Sequence, residues 1–337
     1  MDWRLIFDTA LTQGFGPQAI VVALAAIGLN VQFGYAGLLN FGQVAFLAVG
    51  AYSIAMGVDT FGLNFWLCVF LALLSAVVLA LLLGFPTLRL RTDYLAIVTI
   101  AAGEIIRLVL RAGSYRGTTG GAAGIQNFAD DFFEINPFPR GSNGIGFVDY
   151  SSSDLWVMTV GWGLVAASCL MIFLLIRSPW GRVVKAIRED EDAVRSLGKN
   201  VYLYKMQALI LGGVIGAVGG MIFAIDRQSI VPDSLGTQRT FFAYTALILG
   251  GSGRVGGPVV GAIVFTFLTA FTDTTLRELV ENNILDKIPL LPSDLLVANE
   301  VGIAVQILVG LGLMALMIFR PQGIFGDKRE VAISARR

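Results

Sequence analysis

The sequence predicts an all-α membrane protein, a polytopic helical bundle of eight to ten transmembrane helices. Three observations carry that prediction. Hydrophobic residues make up 55% of the 337-residue chain and charged residues only 14%, where a soluble domain has roughly 25% charged; the mean hydropathy is +0.74. The hydrophobicity is gathered into charge-poor runs near the ~20 residues that a helix needs to cross hydrocarbon. Lys and Arg are spread unevenly over the segments between the runs. Lys plus Arg and Asp plus Glu number 24 each, so the total charge indicates neither nucleic acid nor a strongly anionic partner.

The runs are 17–33, 38–58, 63–85, 93–112, 155–176, 206–225, 239–251, 256–272 and 301–319. The first dozen residues carry Arg4, Asp2 and Asp8 and no long apolar core, so no cleavable signal is expected and the first run serves for insertion. Between the first two runs, N-V-Q-F-G-Y-A-G-L-L-N-F-G-Q brings in Asn30, Gln32, Asn40 and Gln43 with Gly34, Gly37 and Gly42. Non-helical backbone at membrane depth needs protein or a water-filled cavity to satisfy it. The stretch is either a broken helix beside a translocation path, with the four amides as path candidates, or an ordinary polar loop. In the fourth run Glu104 lies about 16 Å along a helix from Asp93, at mid-membrane. Arg107 is one turn on, which makes the two a candidate intramembrane ion pair, functional or merely structural.

The loop 177–205 is the most charged stretch, with seven basic and four acidic residues. A helix over about 181–197 would align Val183, Ile187, Val194 and Leu197 within about 40° of one another. Lys185–Glu189, Arg188–Asp192 and Glu191–Arg195 are i,i+4 pairs of opposite sign, and Gly198 is suited to end the helix in the left-handed conformation. Such a helix can be gripped by a soluble partner or can act only as a topological anchor. The tail 320–337 has five bases and two acids, whereas 112–154 has two bases against five acids and 273–300 two against six. The expectation is therefore one transmembrane domain over 1–337, with 177–205 and 320–337 cytoplasmic and 112–154 and 273–300 external. Arg89 and Arg91 add an inner anchor. Counting back places the N-terminus outside, and one extra or re-entrant helix would reverse it.

Signals for chemistry are few. The chain has no His, which removes the commonest general base and metal ligand. Its two cysteines, Cys68 and Cys169, each sit in an apolar run and are expected to be unpaired. The runs T-T-G-G-A-A-G at 118–124 and G-G-S-G-R-V-G-G-P at 250–258 lack the Lys and Ser/Thr of a Walker A loop. No cofactor, metal or catalytic residue is expected. G-G-V-I-G-A-V-G-G at 212–220 reads as a close helix-packing surface.

Five blocks resemble the branched-chain amino-acid ABC transporter permease family, in its M-type (LivM-type) subunit: G-Y-A-G-L-L-N-F-G-Q-V-A-F at 34–46, L-R-L-R-T-D-Y-L-A-I-V-T-I-A-A-G-E-I-I-R at 88–107, S-P-W-G-R-V-V-K-A-I-R-E-D-E at 178–191, T-A-L-I-L-G-G-S-G-R-V-G-G-P-V-V-G-A at 245–262 and F-R-P-Q-G-I-F-G at 319–326. The resemblance implies a fold of the type II importer kind and a subunit without chemistry of its own. It implies a second homologous permease, two ABC ATPase subunits and an extracytoplasmic substrate-binding protein as partners, in the plasma (inner) membrane. It also implies ATPase coupling through an E-A-A-x-x-x-G loop. Asp192, Ala193, Val194 and Gly198 occupy that spacing, next to Glu191, with Asp for Glu and Val for the second Ala as departures. The implied cargo is branched-chain or other apolar amino acids; relatives with the same blocks carry urea or short amides. An ion-coupled secondary transporter would need an internal inverted repeat, which is not evident, and would leave 177–205 without a role.

Overall fold

A computed structural model of the chain describes residues 3–89, 92–139, 142–145, 148–281, 301–319 and 323–325. It begins with α1 (Trp3–Phe15) and α2 (Pro17–Leu29), parted at Gly16. Pro17 fits the first turn of α2, where its missing N–H has no acceptor to lose. The helix continues as a π-helical turn over Asn30–Tyr35, and the chain is then non-helical until α3 (Gln43–Asp59). Next come α4 (Phe65–Thr87) and α5 (Thr92–Arg111). Residues up to 151 hold the short helices α6 (Arg116–Thr119) and α7 (Asp130–Glu134), the strand β1 (Ile125–Gln126) and the hairpin of β2 (Ser142–Ile145) and β3 (Val148–Ser151). The long α8 (Ser152–Arg177) leads to the short α9 (Pro179–Glu189) and α10 (Glu191–Ser196), and α11 (Val201–Arg227) returns through the bundle. β4 (Ser229–Ile230) pairs antiparallel with β1, joining 112–151 to 228–237 at one end. α12 (Gln238–Gly250), α13 (Gly257–Glu281) and α14 (Val301–Phe319) complete the described elements.

Among the described residues, five helices are long and apolar enough to cross a membrane: Pro17–Tyr35, Phe65–Thr87, Ser152–Arg177, Val201–Arg227 and Gly257–Val280. The protein is thus an all-α, multi-pass membrane bundle. Its centre is α11, packed on α2, α3 and α4. Glycines make that centre possible. A Cβ on Gly220 would collide with the Leu47 carbonyl oxygen, and Gly28 and Gly212 each approach the other's carbonyl too closely for a side chain. The outer helices divide by residue size. α4 turns Cys68, Ala72, Ala76, Ala80 and Gly84 inward, one per turn, while Phe70, Leu74, Leu82 and Phe85 face out. A stripe of small residues lets backbones approach where lipid supplies no hydrophobic drive for association, and the large apolar side chains opposite suit hydrocarbon.

Residues 3–15 form α1, which lies along α13 with Phe7 5.6 Å from Phe271. Three expectations need correction. The second span begins only at Gln43, because 36–42 is held by local backbone turns and by the side chains of Thr99 and Asn40 in place of an α-helical ladder. α13 runs on to Glu281, so 273–281 is helical and only 282–300 of that expected loop remains, outside the described residues with most of the tail. The single helix over 181–197 is two helices, for a reason given below.

The close approach of α3 and α11 gives a prediction. Gly220→Val should lower stability in detergent by about 3 kcal/mol or more, since rigid backbone must move. Gly163→Val, whose Cβ would meet nothing within 4 Å, should stay within about 0.5 kcal/mol. Thermal unfolding of the two purified variants checks the contrast.

Candidate coupling and translocation site

At one end of the bundle α9 and α10 meet at Asp190, whose backbone is extended (φ −154°, ψ 103°). Its carboxylate accepts the Ala193 N–H at 3.0 Å, an N-cap that satisfies a first-turn donor of α10. Asp is a better cap than helix interior, and here the cap wins. The break re-sorts the expected contacts. Ile187 and Val194 are buried with Val201, beside Val183 and Tyr204, whereas Leu197 is 79% exposed. Arg195 reaches Glu191 and Asp192, each at 2.9 Å, and Glu191 also binds Lys205. Gly198 closes α10 at φ 74°, and its N–H reaches the Arg195 carbonyl at 3.0 Å. The candidate coupling residues thus divide into buried Val194, exposed Asp192 and Ala193, half-buried Glu191 and a left-handed Gly198.

Arg188, freed by the break from the expected pair with Asp192, donates from Nη1 to the Gly34 carbonyl of the π-helical turn. Three glycines form its cradle. A Cβ on Gly37 would lie 3.3 Å from Arg188 Cγ, and one on Gly253 would lie 3.4 Å from Nη1; both glycines have positive φ, at 70° and 76°. Lys185 sits over the Tyr35 ring at 5.8 Å. The short helices are therefore anchored on the broken helix, not only tethered between spans.

The four amides are fully buried. Asn30 donates to the Arg254 carbonyl and accepts the Gly253 N–H, both at 2.8 Å. Gln32 donates to the Leu209 carbonyl at 3.1 Å and accepts from Asn40 at 2.8 Å. Asn40 in turn accepts the Gly42 N–H at 2.9 Å, and Gln43 donates to the Gly212 carbonyl at 3.1 Å. In this conformation Asn30 and Asn40 satisfy irregular backbone, as a buried break demands, while Gln32 and Gln43 tie the break to carbonyls of α11.

Glu104 and Arg107 do meet, with Arg107 Nε 3.1 Å from both carboxylate oxygens. Both stand on α5, however, so their bond joins no two elements. The cross-link is Arg107 to Asp233, with Arg111 at 3.5 Å from the same carboxylate. Glu104 and Asp233 are 39% and 49% exposed at their side chains, a cost at a lipid-facing surface that a watered crevice or a partner removes. Between α1, α2, α12, α13 and α14 lies a cavity of about 450 Å³, with Gln13, Gln18, Gln238, Thr266, Asp273 and Gln306 among its lining.

Sequence reasoning missed Asp233, the Arg188 cradle and this cavity. All three join segments far apart in the chain. The extra glycines beside an Arg-bearing loop were visible, but nothing in their spacing paired them.

As a class, a bundle of long apolar helices with charged helices gathered at one end is a multi-pass membrane protein. The sequence model of the "branched-chain amino acid transport system / permease component" family matches residues 14–291, and the chain belongs to that family. It is 33% identical over 316 residues to the high-affinity branched-chain amino acid transport system permease protein LivM of Salmonella typhimurium, covering 90% of this chain and 68% of that one. It is 24% identical to LivH of the same organism, covering 75% and 82%. Among solved structures it is similar to PsaBC from Streptococcus pneumoniae, at a TM-score of 0.39 and 16% identity over 94% and 92% of the two chains.

Asn40 offers a direct test of the network. Asn40→Leu leaves the Gln32 side-chain Oε1 and the Gly42 N–H without partners, and should cost about 2 kcal/mol or more. Thermal unfolding in detergent checks it, with Asn64→Leu, an exposed cap residue, as the milder comparison.

Proposed function

We propose that the chain is the permease subunit of an ABC importer for branched-chain or other apolar amino acids, working in the plasma membrane with substrate handed over by an extracytoplasmic binding protein. The observation that carries this is the anchoring of α9 and α10: an exposed, charged outer surface for a soluble partner, and Arg188 seated in the broken helix behind it. Two ATPase subunits, one on each permease, would press on that surface as they close. Arg188 passes the displacement to Gly34 and to the turn at Gly253, and so to the ends of α2 and α13. A rigid element with two contacts is what such transmission needs.

Sidedness fits the Lys and Arg distribution. α9 and α10, Arg89 and the described residues 323–325 gather at one end, while the β1–β4 pairing gathers 112–151 and 228–237 at the other. The first end is read as cytoplasmic. Similarity to both LivM and LivH favours a second, homologous permease as the partner in the membrane. The exposed charges of Glu104 and Asp233 then border the path between the two permeases, and the pairing of Glu104 with Arg107 argues against a proton-coupling role.

The test separates seating from transmission. Val194→Glu puts a charge among Ile187, Val201 and Tyr204, and Gly198→Val forces a β-branched residue to positive φ. Both variants should insert normally and lose ATPase co-purification or coupled hydrolysis. Arg188→Ala should keep the ATPase yet lower substrate-driven uptake at least tenfold in liposomes. Wild-type association and uptake in all three would leave the loop as a topological anchor. Competition of leucine, urea and acetamide for uptake decides the cargo, with leucine expected to win.

A further inference from the structure

A second cavity, of about 420 Å³, lies where the end of α4 meets α10 and the start of α11, and no step of the transport reading uses it. Arg89, Arg195, Lys199 and Lys205 line it, with Glu191 as the one carboxylate among the described lining residues. Glu191 is shared between Arg195 and Lys205. That leaves Arg89 and Lys199, neither of which forms an ion pair within the described residues. Arg89 is held instead by aromatic faces, 5.2 Å from the Phe85 ring centroid and 6.0 Å from that of Tyr202. The Tyr202 hydroxyl is buried without a hydrogen-bond partner among the described residues, and Tyr202 lines the same cavity. The first residues of the 27-residue helix α11, Val201 and Tyr202, add the positive end of a helix dipole.

We propose that this cavity binds the phosphate of an anionic phospholipid of the adjoining leaflet. The charge excess calls for an anion, and a phosphate diester supplies acceptors for two cations at once. The surroundings select lipid over free phosphate. Leu82 and Phe85 on α4, 68% and 64% exposed, and Leu203 on α11, 51% exposed, give apolar surface beside the basic lining. An acyl chain needs such a surface and an inorganic anion does not. Basic pockets between transmembrane helices at the cytoplasmic face recognise anionic headgroups in this way. Because the pocket shares Glu191 and Arg195 with α10 and Lys205 with α11, a bound headgroup would also compete with Glu191 for its cations and so bear on the helix proposed to contact the ATPase.

The experiment reads lipid retention and does not depend on what the permease carries. The full transporter is purified from cells in mild detergent, and co-purifying phospholipid is quantified by mass spectrometry for the wild type, for Arg89→Gln/Lys199→Gln and for Arg89→Lys/Lys199→Arg. The wild type should retain anionic over zwitterionic phospholipid. The charge-removing variant should lose at least three-quarters of that excess, and the charge-conserving variant should keep it, which separates lost charge from lost folding. In a second arm, delipidated wild type is titrated with phosphatidylglycerol or with inorganic phosphate while its thermal midpoint is followed. A rise with phosphatidylglycerol and none with millimolar phosphate is expected. Equal retention by the wild type and the charge-removing variant, equal loss in both variants, or a matching rise with inorganic phosphate would overturn the proposal.

Discussion

The structure depends on one constraint: between Tyr35 and Gln43 the chain leaves the helix inside a bundle, where no bulk water can satisfy its backbone. The accounting is nearly complete within a few residues. The N–H groups of Gly37 and Leu38 reach the Phe33 and Gln32 carbonyls, that of Asn40 reaches Leu38, that of Phe41 the Thr99 hydroxyl, that of Gly42 the Asn40 side chain and that of Val44 the Thr240 hydroxyl. The Asn40 carbonyl accepts from Tyr244 at 3.0 Å. Partners on α5 and α12 are thereby drawn to the break, and the amides of Gln32 and Gln43 fix α11 to it from the other side. The positions of three helices follow from where one segment must find its hydrogen bonds.

Those amides reach carbonyls only because α11 is bare there. Leu209 and Gly212 offer their carbonyl oxygens to Gln32 and Gln43, and a side chain at Gly212 or Gly216 would strike the same glutamines. The glycine run 212–220 therefore serves two ends, close helix contact and access to backbone acceptors. In helices that gain little from hydrophobic association, both matter. Burial of so many small residues also explains why α2 and α11 expose little while α4 and α8 carry the large apolar side chains outward.

Much of this was legible in the sequence, to different depths. Charge-free runs located the long helices, since a span is a property of twenty neighbouring residues. The interruption by Asn30, Gln32, Asn40 and Gln43 was equally visible, because polar side chains in an apolar run are a local signal; that Gln32, itself bound to Asn40, and Gln43 would reach carbonyls of α11 depends on residues 177 and 169 positions away. Asp190 shows a different limit. A helical wheel treats 181–197 as one helix, and only the competition between cap and interior decides that Asp190 breaks it, burying Val194 while exposing Leu197. Glu104 and Arg107 were paired by spacing alone. Their tie to Asp233 was not, because the residues that carry it, 228–237, look like any short polar connection.

The break at Asp190 has a mechanical consequence on the proposed reading. One straight helix over 181–197 would present a single stripe and could rock about its axis when pushed. Two helices meeting at an extended residue have two footings. α9 is footed on the π-helical turn through Arg188, and α10 on the start of α11 through Val194 against Val201 and through Glu191 to Lys205. Force on the outer surface is then delivered at two places: the end of α2, and α11, which touches most of the bundle. Asn30 extends the first footing, because it holds Gly253 and Arg254 in the turn that precedes α13. Motion applied at α10 therefore reaches α11 through apolar packing and an ion pair, and motion applied at α9 reaches α2 and the turn before α13 through hydrogen bonds to backbone. Such bonds keep their length while the helices that carry them tilt, and they suit a device that must move helices without unpacking them.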